Sequence, residues 1–454
     1  MMKNLDIRNG KIGKLLWQFS LPAIIGMLVN AFYNIVSRIF VGRGIGSIAI
    51  AAITVALPIM TILFAIAMLI GIGATALISI RLGEQKMEEV EKIAGNAALL
   101  LIILPLLFSV IYFIFSDPIL KLFGASSEVL PYARDYIHII MIGAVPGAFS
   151  YGLNNVIRAE GNPRIAMLTQ IIGAVINIIL NYVFIFILGW GIKGSALATI
   201  TGQTVSAIWV LSYFYTGRSM IKIRLRNLKP KIPIVIRTIT IGFAPFAMQI
   251  SNSIQQIILN KALMTYGGDI ALAAAGIIMS IAMLLLMPIV GISQGAQPLI
   301  GFNYGARLYK RVKETLLKGI LAGTAMASVG YIIIITCAVP IVGLFSKGDT
   351  ALTQLTVHAL VTFLAVLPIV GFQIVGANYF QAVGKPVQST ILSLSRQVLI
   401  FIPLLLILPN YYGIEGVWIT APIADVLAVM LTAAFLFFEM KKMKMFKKSS
   451  LAVH

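Results

Sequence analysis

The sequence predicts an all-α integral membrane protein with twelve transmembrane helices in two six-helix lobes, related by a pseudo-two-fold axis along the membrane normal. Three observations predict it. The 454 residues are 59% hydrophobic and 11% charged, with a mean hydropathy of +0.97, whereas soluble chains carry roughly 25% charged residues. Apolar runs long enough to cross a bilayer, about 20 residues each, recur from end to end with short polar breaks. The pattern also repeats itself at an offset of 222 residues. A water-soluble enzyme of several domains is excluded.

Residues 14–40 form the first span, after a polar head with no signal-type cleavage site. Spans follow at 48–80, 94–116, 131–157, 165–188 and 194–216, then at 236–266, 270–302, 316–345, 353–381, 387–408 and 414–438. Long unbroken apolar runs favour helices over a β-barrel, whose strands alternate over about ten residues. The organisation is an N-terminal lobe at 1–216, a basic linker at 217–235, a C-terminal lobe at 236–440 and a basic tail at 441–454. Pro22, Pro58, Pro146, Pro245 and Pro288 fall within spans and mark expected kinks.

Thirty-five Lys and Arg against fifteen Asp and Glu give a formal +20. With twelve spans the basic residues gather on one side. They include Lys3, Arg8, Lys11, Lys14, Arg81, Lys86, Lys92, Arg158 and Arg164, the linker between Arg218 and Arg237, the run from Arg307 to Lys318, Lys385 and the tail. The opposite loops hold only Arg43, Lys121, Lys193 and Lys347. This asymmetry predicts cytoplasmic termini and a multi-pass protein of the cell (inner or plasma) membrane. The charge is a topology signal and an anchor to anionic lipid, so no nucleic-acid partner is expected.

The repeat is specific. Ile48-Ala49-Ile50-Ala51-Ala52 aligns with Ile270-Ala271-Leu272-Ala273-Ala274, Gly73-Ala74 with Gly295-Ala296, and Ile192 and Gly194 with Ile414 and Gly416. Ala159, Gly161 and Pro163 answer Ala382, Gly384 and Pro386, shifted by one. An even number of spans per half makes the repeats parallel, the organisation of transporters that expose a central cavity alternately. Enzyme chemistry lacks its parts. There is no metal-binding or nucleophile motif, and His138, His358 and Cys337 read as packing residues. No P-loop is present, no cofactor is expected, and a monomer is expected.

Gly291-Ile292-Ser293-Gln294-Gly295-Ala296-Gln297-Pro298, continuing to Gly301-Phe302-Asn303-Tyr304-Gly305-Ala306, resembles the signature of multidrug and toxic compound extrusion (MATE) transporters. Phe19-Ser20-Leu21-Pro22, Phe40-Val41-Gly42 and the segment Arg158–Pro163 fit the same family, closest to its bacterial MepA-like branch. The resemblance covers nearly the whole chain. It implies a secondary exporter of small hydrophobic drug-like molecules or metabolites, driven by antiport of H⁺ or Na⁺. A lipid-linked glycan flippase of the same superfamily and a non-transporting membrane scaffold are the alternatives.

The resemblance also implies an N-lobe cation site, whose matching positions are Ser37, Asn177, Asn181 and Thr199. The carboxylates of related sites are absent here, so Na⁺ would meet neutral oxygens only; an interhelical hydrogen-bond cluster is the competing account. Asn177 and Asn181, four apart, share a helical face. In the C-lobe, amides replace the acids of a related branch. Gln249, Asn252, Gln256, Gln294, Gln297, Gln373 and Asn378, with aromatic Tyr33 and Tyr151, are candidates for a substrate chamber, with helix–helix glue as the competing account. Asp425 lies mid-span opposite Arg396, either as a proton carrier or as half of a buried ion pair. A chamber with almost no negative charge is expected to handle neutral or weakly charged compounds better than dications.

Overall fold

The computed structural model describes residues 6–346 and 349–451. Lys3, Lys347 and the last three residues of the basic tail lie outside them. The described chain is helical: α1 Ile12–Gly44, α2 Ser47–Gly83, α3 Met87–Leu122, α4 Leu130–Ile142, α5 Ala144–Ala159, α6 Pro163–Tyr182, α7 Gly191–Tyr215, α8 Ile232–Gly305, α9 Tyr309–Ser346, α10 Thr350–Phe363, α11 Leu367–Ala382, α12 Pro386–Leu394, α13 Phe401–Ile407 and α14 Pro409–Leu451. π-helical turns at Val183–Ile187 and Ser395–Ile400 extend α6 and join α12 to α13.

These elements supply the twelve spans. Among the described residues nine helices are long and apolar enough to cross a membrane, and the bent pairs α4–α5 (53°) and α10–α11 (48°) add two more. The twelfth comes from α8. Its 74 residues would extend about 110 Å as one rod, several times a bilayer core of about 30 Å. It breaks at Gly268, φ 65° and ψ −161°, between the spans expected at 236–266 and 270–302. Large apolar side chains such as Leu106, Leu107 and Ile114 are more than half exposed, as lipid-facing residues are.

The chain forms two compact units, Met1–Gly10 with Leu21–Gln249, and Lys11–Ser20 with Ile250–His454. In the first unit α5 is the central helix. It packs on α2, α3 and α7 and buries nearly all its residues from Ala148 onward. In the second unit α11 packs on α9 and α14. Contacts are closest where glycine removes a side chain. A Cβ at Gly242 would collide with the backbone oxygen of Leu69, and one at Gly73 with that of Thr238. In the second unit a Cβ at Gly295 would fall 2.6 Å from Ser20 Oγ.

The backbone carries the repeat more faithfully than the side chains do. Gly46 and Gly268, Gln85 and Arg307, and Gly191 and Gly413 are pairs of positive-φ residues, each 222 apart in number. Helix α3 is non-helical at Phe115 (φ −116°, ψ 25°) and α9 at Cys337 (φ −125°, ψ 20°), again 222 apart. Each break lies three residues before a proline, Pro118 or Pro340, which withholds an N–H and crowds the preceding turn. Of the prolines expected to kink, Pro146 lies at the α4–α5 bend, whereas Pro22 and Pro58 sit within unbroken helices and α8 is non-helical only at Gly268. Cys337 is exposed, and His358 pairs with Glu415 at 3.0 Å. Neither is the core residue its apolar neighbours suggest.

Two buried polar side chains hold the connection between halves. Asn96 of α3 accepts from the Lys231 amide at 2.7 Å and donates to the carbonyls of Asn227 and Lys229. Glu160, which caps α5 and is 2% exposed, accepts from Ser219 Oγ (2.7 Å), from Tyr213 Oη (3.2 Å) and from the Met220 amide.

Burial pushes the Glu160 carboxyl above the usual carboxylate range, although these hydrogen bonds pull it down. The folded chain therefore favours its protonated form. Stability from this group is complete below the ordinary value of about 4.3 and is lost as pH rises through the elevated native value. Glu160→Gln should flatten that part of a pH–stability profile, at a cost of about 1 kcal/mol. Gln85 (φ 61°) and Arg307 (φ 57°) hold left-handed backbone with exposed side chains, which costs about 1–2 kcal/mol per non-glycine residue. Gln85→Gly or Arg307→Gly should raise the Tm of the detergent-solubilised protein by a few degrees.

Candidate functional site

The first unit carries an open cavity of about 350 Å³, within the range of small-molecule sites. Its wall comes from α1, α2, α4, α5, α6, α7 and the first part of α8. Five of the sequence candidates line it: Tyr33, Tyr151, Asn177, Thr199 and Gln249. Phe64 and Tyr151 meet edge to face, with ring centroids 4.7 Å apart. The wall also contains Asn30, Asn34, Asn154, Gln170 and Gln203, which the sequence reading did not single out. The signal was available, because each is an amide inside a strongly apolar helix. Asn34 Nδ2 donates to Asn30 Oδ1 at 3.1 Å, the i, i+4 geometry of one helical face. Asn154 is 2% exposed, and its Oδ1 has no hydrogen-bond partner.

The four cation-site candidates come together across α1, α6 and α7. Ser37 Oγ donates to Asn177 Oδ1 at 2.9 Å, and Asn181 Nδ2 donates to the same oxygen at 2.9 Å. Asn177 Nδ2 donates to Thr199 Oγ1 at 3.2 Å, and Thr199 Oγ1 donates to the Ser195 carbonyl at 3.0 Å. One acceptor is left over. Asn181 is fully buried, yet its Oδ1 has no partner. The cluster is neutral throughout, so it offers oxygens to a hard cation but no group that titrates near neutral pH.

The second-unit candidates are dispersed. Asn252 and Gln256 are exposed; Asn252 accepts from Gln397 at 2.6 Å, and Gln256 donates to Asn260 at 2.8 Å. Asn378 Nδ2 donates to the Ser293 carbonyl at 2.8 Å, and buried Gln373 donates to the Leu392 carbonyl at 3.4 Å, so both join helices. Gln294 is partly buried, and Gln297 is 5% exposed with its Nε2 unpaired. Arg396 lies on the π-helical turn and Asp425 in α14; Arg396 Nε donates to Asp425 Oδ1 at 2.5 Å. Nearer the span ends, Arg134 grips both oxygens of Asp117, and Lys193 pairs with Asp135 at 3.1 Å.

The MatE family matches residues 22–183 and again residues 245–407, one copy in each half of the chain. Multidrug export protein MepA of Staphylococcus haemolyticus (strain JCSC1435) is 28% identical over 440 residues, spanning 97% of this chain and 96% of its own. A crystal structure of MATE in complex with MaL6 has a TM-score of 0.93 at 26% identity, covering 98% of this chain and all of that one (100%). The structure of the MATE multidrug transporter DinF-BH has a TM-score of 0.87 at 38% identity, covering 93% of this chain and 95% of that one.

Removing one member of a buried ion pair strands the other charge, which typically costs about 3–5 kcal/mol, whereas replacing both by apolar groups is often nearly neutral. Arg396→Leu alone should therefore destabilise the protein more than Arg396→Leu combined with Asp425→Leu. Thermal unfolding of both variants in one detergent decides the point.

Proposed function

This chain belongs to the MatE family, and on that premise we propose that it is a secondary active exporter of small drug-like molecules or metabolites, driven by cation antiport. The observation that carries the proposal is the cavity of the first unit, whose largely apolar wall also carries amides and aromatic rings. A hydrophobic molecule entering it keeps apolar contact on most of its surface and finds hydrogen-bond partners for its few polar atoms. Transport then requires the chamber to open alternately to the two sides. The basic asymmetry supports cytoplasmic termini in a cell-membrane protein. A flippase for pyrophosphate-linked lipids fits less well, because no basic residue lines the chamber.

The cluster of Ser37, Asn177, Asn181 and Thr199 supports Na⁺ as the coupling ion. Two of its members, Asn177 and Thr199, line the chamber, and the unpartnered Asn181 Oδ1 is an acceptor that a cation would satisfy. Hydroxyl rotation and amide reorientation would free further oxygens. Binding without a carboxylate should be weak, in keeping with an ion that must be released each cycle. Asp425 supports proton coupling instead, if its pairing with Arg396 breaks during transport.

Efflux from proteoliposomes, with Na⁺ and pH gradients varied independently, distinguishes these ions. An opposing Na⁺ gradient should accelerate efflux, and Asn181→Ala should weaken the Na⁺ response about tenfold. Efflux that follows pH alone and is lost in Asp425→Asn would assign coupling to the Arg396–Asp425 pair.

A further inference from the structure

We propose that the first-unit chamber selects uncharged, flat heteroaromatic molecules bearing adjacent hydrogen-bond donors and acceptors, and discriminates against organic cations. The inference deepens the transport reading above and rests on it for the chamber's role, though not for the chamber's chemistry.

Charge is the first observation. None of the residues lining the chamber is Asp, Glu, Lys, Arg or His, so a cationic ligand leaves water without meeting a counter-charge.

The placement of the amides is the second observation. Gln170 and Gln203 line the chamber, and neither makes a hydrogen bond within the described residues. Each rests against a glycine on a neighbouring helix. A Cβ at Gly26 would collide with Gln170 Oε1, and one at Gly147 would fall 2.6 Å from Gln203 Oε1. The missing side chains make room for these two amides. Asn154, 2% exposed with an unpartnered Oδ1, adds a third unsatisfied group to the same wall. A primary amide presents a donor and an acceptor side by side, the complement of an imide or lactam edge. Phe64 and Tyr151 supply ring faces for a flat ligand.

The test compares two fluorescent tricyclic probes of similar size: lumichrome, neutral with an imide edge, and proflavine, a monocation at pH 7. Binding is measured to the full chain in nanodiscs, and transport in proteoliposomes. Lumichrome should bind about tenfold more tightly than proflavine. Gln170→Glu, with Gln203→Glu as an independent second variant, should narrow or invert that ratio. Gly147→Ala, which displaces Gln203, should weaken lumichrome at least fivefold while changing proflavine little. Equal or tighter proflavine binding by the unmodified protein, or a ratio unmoved by both glutamate variants, overturns the inference while leaving the transporter reading intact. Lumichrome that binds as expected but is not moved across the membrane overturns the transporter reading and leaves the chamber's selectivity standing.

Discussion

Direct contact between backbones is the constraint on which the rest of this structure depends. In a lipid-like environment apolar side chains gain little by leaving their surroundings, so helices associate through close packing and polar contacts. Gly73 and Gly242 let α2 and the first part of α8 touch without intervening side chains, and Gly295 does the same for α8 and the start of α1. Gly73 and Gly295 occupy equivalent places in the repeat, as do Gly242 and Ser20. Both helices that begin a half are thereby held within about three turns of their starts. From those anchor points α1 carries Asn30, Tyr33 and Asn34, and α8 carries Gln249, to the chamber wall.

The polar groups follow a second rule, that charge is kept out of the chamber or cancelled. Ion pairs near the span ends join Arg134 to Asp117 and Lys193 to Asp135. Within the second unit Arg396 and Asp425 neutralise one another. The chamber and the Ser37–Asn177–Asn181–Thr199 cluster use amides and hydroxyls alone. Their unsatisfied atoms, Asn154 Oδ1 and Asn181 Oδ1, are therefore informative, because a buried acceptor without a donor costs free energy until something meets it.

Much of this was legible in the residues. Apolar run length identifies the spans and separates 236–266 from 270–302, where α8 turns at Gly268. The i, i+4 spacing of Asn177 and Asn181 puts them on one face, as the hydrogen bonds show. Legibility ended where a side chain's meaning depends on its partner. Gln373 and Asn378 look like chamber amides in sequence but bond to carbonyls of neighbouring helices. Gln170 and Gln203 owe their positions to glycines far away along the chain. Proline positions alone did not locate the kinks either: Pro22 and Pro58 are absorbed within continuous helices, whereas Pro118 and Pro340 coincide with breaks.

The matched breaks at Phe115 and Cys337 bear on ancestry. The residues at the break have diverged completely, one aromatic and one a thiol, yet the backbone there turns through nearly the same angles. Backbone geometry has thus outlived the side chains around it, as expected of a duplicated gene whose copies drifted while a shared architecture was retained. A six-helix ancestor starts and ends on the same side of a membrane. Fusing two copies therefore required only a tether and no additional crossing, and the segment that Asn96 and Glu160 now hold in place is what became of that tether.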